Sequence, residues 1–404
     1  MHTLAQLRSG ELAGSRGLKL SADLCEFPEE IYSLVDTLEV LDLSGNQLTD
    51  LPGDLHRFSQ LKILFASDNQ FEHIPEGVGL CRSLTMVGFK HNKIRDVSAT
   101  CLPPNVRWLI LTDNCISQLP GNFGNLSALE KLMLAGNRLT ALPSSISTLN
   151  TLGLLRISAN QFDVFPDQLL ELPNLAWLAF SGNPFCPRHE SHHNVLTVAR
   201  GDLEMGDVLG RGASGVISRA YWQSAPAGID PDVAVKVFHG GVTSDGYPQD
   251  ELDACLSVAP HPNLVTALAQ VTEPGFDALV MKLIPHDYSN LGQPPSLDSC
   301  TRDTFTAGQA LSRELADCLI KQMTSLVEHL EATQICHGDV YAHNTLINAD
   351  GHLLFGDFGA ASRYHNLTDA QQAGIRKIER RALGYFIEDM EGLVNLGCAT
   401  IRPC

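Results

Sequence analysis

In the first half of the chain, apolar residues recur as L-x-x-L-x-L, and an asparagine follows three positions after the last of them. LEVLDLSGN, LEKLMLAGN and LAWLAFSGN are three such segments. Their asparagines are Asn46, Asn69, Asn92, Asn114, Asn137, Asn160 and Asn183, spaced by 23 residues with a single step of 22. A fixed period of this length marks a stack of equivalent supersecondary units. Within each unit, L-x-L alternation sends the leucines to one face of a short strand, so the stacked units share a continuous core. The turn at each asparagine leaves backbone groups without strand partners. An amide side chain carries both donor and acceptor to satisfy them, which predicts a ladder of asparagines. Pro52, Pro75, Pro120, Pro143 and Pro166 close the copies where the chain leaves extended structure; the fourth copy, which is also the 22-residue one, has Asp96 and Val97 instead of Leu-Pro.

This pattern resembles the leucine-rich repeat over residues 17–186, with GLKLSADLCEFP as a degenerate leading copy. The resemblance implies an α/β solenoid over residues 1–186, built of seven to eight repeats, with the residues between the core leucines on its concave side. One column there reads Val40, Ile63, Met86, Trp108, Lys131, Leu154, Trp177, and the next reads Asp42, Phe65, Gly88, Ile110, Met133, Arg156, Ala179. Contiguous exposed apolar surface marks interaction sites, and buried aromatics anchor them. Ile63, Phe65, Met86, Trp108, Ile110, Met133, Leu154 and Trp177 are therefore the candidate protein-binding residues. Two other readings stand beside this one: neighbouring copies cover these side chains, or the surface docks the chain's own second domain.

The second half changes rhythm. The alternating LEMGDV, the segment LGRGASGV and then VISRAYW predict strand, turn and strand, with Gly210, Gly212 and Gly215 in G-x-G-x-x-G spacing. Glycines at these positions let backbone N–H groups close over a polyphosphate. A dinucleotide fold shares the spacing, but there the third glycine opens a helix, whereas Val216 continues a strand. VAVKVF puts Lys236 on a strand, and the helical QDELDACLSVA offers Glu251, with Asp250 as a rival, as the carboxylate that would fix it. Farther on, ICHGDVYAHNTLI holds His337, Asp339 and Asn344 in H-x-D-x-x-x-x-N spacing. LLFGDFGAA then brings Asp357, Phe358 and Gly359, with Asp357 13 residues after Asn344.

In this order the motifs resemble the protein-kinase family over residues 203–404. The resemblance implies a two-lobed α+β domain that binds ATP and Mg²⁺ and phosphorylates a protein hydroxyl, serine or threonine first. Asp339, Lys236 and Glu251 would be the catalytic residues. Leu209, Gly210, Gly212, Gly215, Val216, Ala234, Lys236, Met281 and Leu283 would seat the nucleotide, and Asn344 and Asp357 would ligate the metal. Carboxylate and amide oxygens suit Mg²⁺, and a carboxylate can position a nucleophile. Several positions depart from the family pattern. Gly338 replaces a frequent arginine, so that arginine's usual pairing with a phosphorylated activation loop is unavailable. Tyr341 stands where a lysine usually meets the γ-phosphate, leaving His343 or Arg363 as substitutes. Glu379 replaces a usual aspartate only 22 residues after Asp357, no A-P-E follows, and the helices that normally complete the large lobe are missing, which fits either a natural minimal kinase, like those that some bacteria inject into hosts, or a truncated product. A nucleotide-binding scaffold without efficient transfer, and a small-molecule phosphotransferase, are the competing readings.

Composition narrows the partners. At 404 residues, 44% hydrophobic and 18% charged, the chain has material for two globular domains joined by a linker over 187–202. Its 46 acidic against 28 basic residues give a formal charge of −18, which disfavours nucleic acid and anionic membrane. The 11 cysteines include no C-x-x-C, and Cys25, Cys81 and Cys318 read as small core residues in a reducing compartment. With no apolar N-terminal region and no spanning run of apolar residues, the expected location is cytoplasmic, although export without a cleaved signal stays open. Cys186, His189, His192 and His193 cluster loosely in the linker, where an ordinary connector outweighs a zinc site.

Overall fold

The structure, a computed structural model, describes residues 2–188 and 195–398. The chain forms two compact units, Met1–Leu175 with Asn183–Phe185, and Ala176–Gly182 with Cys186–Cys404. His189, His192 and His193 lie outside the described residues.

In the first unit, helix α1 (Leu4–Arg8) precedes strands β1 (Gly17–Lys19), β2 (Val40–Asp42) and β3 (Ile63–Phe65). The short helix α2 (Glu76–Gly79) leads to β4 (Met86–Gly88), β5 (Trp108–Ile110), β6 (Lys131–Met133) and β7 (Leu154–Arg156). These strands pair in parallel in chain order. Their register aligns Leu18, Leu41, Leu64, Val87, Leu109, Leu132 and Leu155, all buried. One row of side chains therefore runs through the solenoid core, as the alternation demands.

The asparagines form the expected ladder. Asn137 is typical: its Oδ1 accepts from Ile116 N at 3.0 Å, and its Nδ2 donates to Leu111 O at 2.9 Å and Leu134 O at 3.0 Å. Each amide thus ties backbone groups of successive copies that sheet pairing leaves over. Asn183 repeats the pattern with Phe162 N and Ile157 O.

The concave columns are less open than alternation alone predicts. Ile63, Met86, Met133 and Leu154 are buried, while Phe65, Trp108 and Ile110 are half-buried. Lys131 Nζ lies over the Trp108 ring, 4.1 Å from its centroid. The assignment of Trp177 to an exposed partner surface is wrong. Its strand, β8 (Trp177–Ala179), is part of the second unit, and the indole is 1% exposed. Cys81 is buried, but Cys25 and Cys318 are exposed and not core residues.

The second unit continues with β9 (Leu196–Thr197), β10 (Leu203–Arg211), β11 (Gly215–Trp222), β12 (Asp232–Phe238), helix α3 (Pro248–Ser257), β13 (Ala267–Glu273) and β14 (Phe276–Lys282). The sheet order is β10-β11-β12-β14-β13-β9. One face of it buries Val233, Val235, Val271, Ala278 and Val280. Strand β15 (Ser289–Asn290) precedes helix α4 (Arg313–Ala332), which Ser312 caps by accepting from Leu315 N at 3.1 Å. Leu319, Met323, Leu326 and Leu330 recur at helical spacing on its buried face, and α4 packs on helix α5 (Asp369–Cys398). Between the helices run β16 (Ile335–Cys336), β17 (Thr345–Ile347), β18 (Leu353–Phe355) and β19 (Ser362–Arg363). β16 pairs with β19, and β17 pairs with β15 and β18. No described helix is long and apolar enough to cross a membrane.

Substituting Asn137→Leu leaves Ile116 N unpaired, while Leu111 O and Leu134 O keep the Nδ2 groups of Asn114 and Asn160. It is expected to lower stability by about 1–3 kcal/mol, the cost of one buried unsatisfied group. Urea unfolding of the full chain reads this; an unchanged midpoint would show that the amide ladder contributes nothing net.

Candidate active site

The site lies beneath the β10–β11 turn. Gly212 N donates to Gly215 O at 2.9 Å, closing that turn. Gly215 is demanded by packing, since a Cβ there would sit 2.4 Å from Val237 O on β12. Gly210 and Gly212 differ, because an added Cβ would meet essentially open space. The fold does not itself require glycine at those two positions.

Behind the turn, β12 carries Lys236 inward and α3 carries Glu251, and the two form a buried ion pair. Burial alone would push the lysine's pKa down, but the Glu251 and Asp357 carboxylates hold it above the ordinary lysine value. Burial raises Glu251, which also faces Asp357, while Lys236 opposes the rise. Each charge of the pair offsets part of the other's desolvation. Asp250, the rival on the same helix, does not face Lys236; it pairs with Arg188.

On the other side, the segment between β16 and β17 carries Asp339 and Asn344. Asn344 Nδ2 donates to Asp339 Oδ2 at 3.0 Å and to Asp339 O at 3.1 Å. This fixes the carboxylate against the amide that accompanies it. Asp357 follows β18 with a left-handed φ of 56° and accepts from Gly359 N at 3.4 Å. His337 is buried under Phe355 and Phe358, and its Nε2 lies 3.1 Å from Gly356 O.

Among these elements lies a cleft of about 710 Å³. Leu209, Gly210, Gly212, Gly215, Ala234, Lys236, Met281 and Leu283 line it, together with Glu251, Asn344 and Asp357. Asp339 stands beside it through Asn344. Val216 does not line it, and its assignment to the nucleotide site is corrected to Ile217, which does. Successive strand side chains alternate, and Ile217 is the residue opposite Lys236.

The departures from the expected motif have physical occupants. Tyr341 is buried and stacked on Trp177, with centroids 4.5 Å apart and planes 7° apart. Arg363 is engaged by Asp253 at 2.9 Å. His343 lines the cleft with Nδ1 2.6 Å from Asp303, whose carboxylate also accepts from Ala342 N at 2.6 Å. Asp303, in the stretch between β15 and α4, belongs to no motif, and nothing local in SLDSCTRDTF marks it as a brace of this loop. Glu379, buried in α5, accepts from His337 N at 2.5 Å and Gly338 N at 3.3 Å.

Residues 203–382 match the family model for protein tyrosine and serine/threonine kinases, and residues 37–58 and 82–139 match leucine-rich-repeat models. Leucine-rich repeat and calponin homology domain-containing protein 1 of Mus musculus is 34% identical over 126 residues, covering 30% of this chain and 18% of that protein. Cyclin-dependent kinase 11B of Mus musculus is 30% identical over 157 residues, covering 38% of this chain and 18% of that protein. A solved leucine-rich-repeat protein of Leptospira interrogans is 27% identical with a TM-score of 0.37, covering 45% of this chain and 52% of its own. The chain thus spans 18% of the length of each of these two curated relatives.

Burial pushes the Glu379 carboxyl from the ordinary 4.5 up to about 8. The folded state therefore holds this proton more tightly than the unfolded one. The resulting stabilisation is complete below the ordinary value and is lost as pH rises through about 8. Glu379→Gln keeps an acceptor for both N–H groups without the titration. Its stability relative to the unmodified chain is expected to rise between pH 5 and pH 8, by on the order of a few kcal/mol. Denaturant midpoints at the two pH values measure this, and a difference independent of pH would refute the assignment.

Proposed function

We propose that this chain, leucine-rich repeats joined to a protein-kinase domain, transfers the γ-phosphoryl group of ATP to a serine or threonine hydroxyl of a protein that the repeats recruit. The observation that carries this reading is that Lys236, Glu251, Asn344 and Asp357 line one cleft, with Asp339 held beside it by the Asn344 amide. Structural needs alone do not explain why an ion pair, an amide and a further carboxylate line the same open volume.

The apolar side chains of Leu209, Ala234, Met281 and Leu283 form a slot suited to a purine, with the β14 backbone beside it. The open space at Gly210 and Gly212 suits close approach of phosphate oxygens to backbone N–H groups. Lys236, oriented by Glu251, binds the inner phosphates. Asn344 and Asp357 supply the hard oxygen donors that Mg²⁺ prefers, and the ion, when bound, would neutralise phosphate charge. Asp339, held by the Asn344 amide, orients the incoming hydroxyl and accepts its proton. Half-buried Phe65, Trp108 and Ile110 give the repeats an apolar contact for the recruited protein. Tethering would raise its local concentration to roughly millimolar.

Incubating the full chain with labelled ATP and Mg²⁺ tests the reading. Asp339→Ala is expected to lower transfer by about 10²- to 10⁴-fold, with affinity for a fluorescent ATP analogue unchanged. Retained transfer removes Asp339 from the mechanism. Nucleotide binding by the unmodified chain with no transfer to itself or to added proteins favours a nucleotide-reading scaffold instead.

A further inference from the structure

Helix α3 carries three buried acids within a single turn, Asp250, Glu251 and Asp253. Glu251 takes Lys236. Each of the others is held by an arginine from elsewhere in the chain: Asp250 by Arg188, and Asp253 by Arg363 of β19 at 2.9 Å. The Arg188 guanidinium also lies 5.2 Å from the ring centroid of Tyr247, the residue that caps α3. Three neighbouring buried carboxylates repel one another and lose hydration unless each keeps its cation. The rotation of α3 about its axis is therefore set by three cations at once. A turn that would pull Glu251 off Lys236 would also strip Asp250 and Asp253.

The stretch that ends in Arg188 also reaches the loop holding Asp339. Trp177 stacks on Tyr341, two residues beyond Asp339, and its Nε1 donates to Val340 O at 3.2 Å. Phe180 N and Ser181 N both donate to Ser362 Oγ, at 2.8 and 3.0 Å, just after the Asp357 segment. Gly338 adds an independent sign of fit. Its φ is +72°, and a Cβ there would sit 2.7 Å from Leu178 O and 2.8 Å from Ala360 O. The backbone of β8 is thus packed against the residue preceding Asp339 closely enough to forbid any side chain.

We infer that residues 176–182 and 186–188 are a built-in activating segment of the second unit, which fixes α3 and the Asp339 loop in the arrangement that transfers phosphate. Arg188 and Trp177 are its positioning residues. Arg188 acts through Asp250 on the Lys236–Glu251 pair, and Trp177 acts through Tyr341 on Asp339. This rests on the kinase reading above and adds to it: the site is completed by a strand that the repeat pattern supplies, without a phosphorylated loop.

The test uses the full chain with Arg188→Ala, Arg188→Lys, Trp177→Ala and Trp177→Phe. It measures kcat and KM for ATP in labelled-phosphate transfer and the Kd of a fluorescent ATP analogue. Arg188→Ala is expected to lower kcat/KM about tenfold to a hundredfold, as misplacement of catalytic groups does, and to raise the analogue's Kd. Arg188→Lys should restore most of both. Trp177→Ala should lower kcat with little change in KM, and Trp177→Phe should recover part of the loss. Arg188 is partly exposed, so a melting temperature near that of the unmodified chain separates its effect from unfolding. Wild-type kcat, KM and Kd in Arg188→Ala overturn the inference. If the unmodified chain transfers no phosphate, the kinase reading fails on its own, and the Kd series still decides whether Arg188 controls the Lys236–Glu251 pair: a raised Kd restored by lysine upholds it, and an unchanged Kd overturns it.

Discussion

The second unit depends on the need of each buried charge on α3 for an opposite charge. Removing one partner from a buried ion pair costs about 3–5 kcal/mol, because the remaining ion stays desolvated. Lys236 and Glu251 are only 15 residues apart, joined by the turn between β12 and α3. That connection places them near each other without fixing the helix. The long-range pairs Asp250–Arg188 and Asp253–Arg363 do so, since they join α3 to segments 62 and 110 residues away. The geometry of the cleft is thus inherited from electrostatics outside it.

The first unit depends on a different constraint, the pairing of backbone groups that parallel strands of three residues cannot satisfy alone. Such strands use few ladder hydrogen bonds, and the chain must turn at every copy. The asparagines complete the accounting, which is why they recur while the residues around them vary.

Much of this was legible because the rules involved are local. The 23-residue period, the L-x-L alternation and the Asn turns each follow from residues within one copy, and the parallel register with its aligned leucines follows from them. The glycine-rich turn, Lys236 and the two aspartate motifs are legible through spacing and order, which led to residues that converge on the cleft. Trp177 was misread because alternation assigns a side chain to a face without saying what covers the face. Val216 was assigned in place of Ile217 by a slip of one residue, which in a strand exchanges one face for the other. Arg188 and Asp303 carried no signal, since their partners lie 62 and about 40 residues away and neither stands in a recurring pattern.

The departures from the kinase pattern also become one feature when they are placed in space. Gly338 and Tyr341 look in sequence like two independent losses, of an arginine and of a lysine. In the structure both face the strand Trp177–Ala179. The glycine is forced by the Leu178 carbonyl, and the tyrosine is matched to the Trp177 indole. Restoring an arginine at 338 would drive a side chain into the backbone of β8, and a lysine at 341 would bury an ammonium between aromatic rings, where only a partial cation–π gain offsets desolvation. The residues usual in the family are therefore incompatible with this strand, and the strand with them. A chain that builds β8 into this unit must give up both, and the Asp303–His343 contact beside them shows the same loop braced by a carboxylate from the β15–α4 connection.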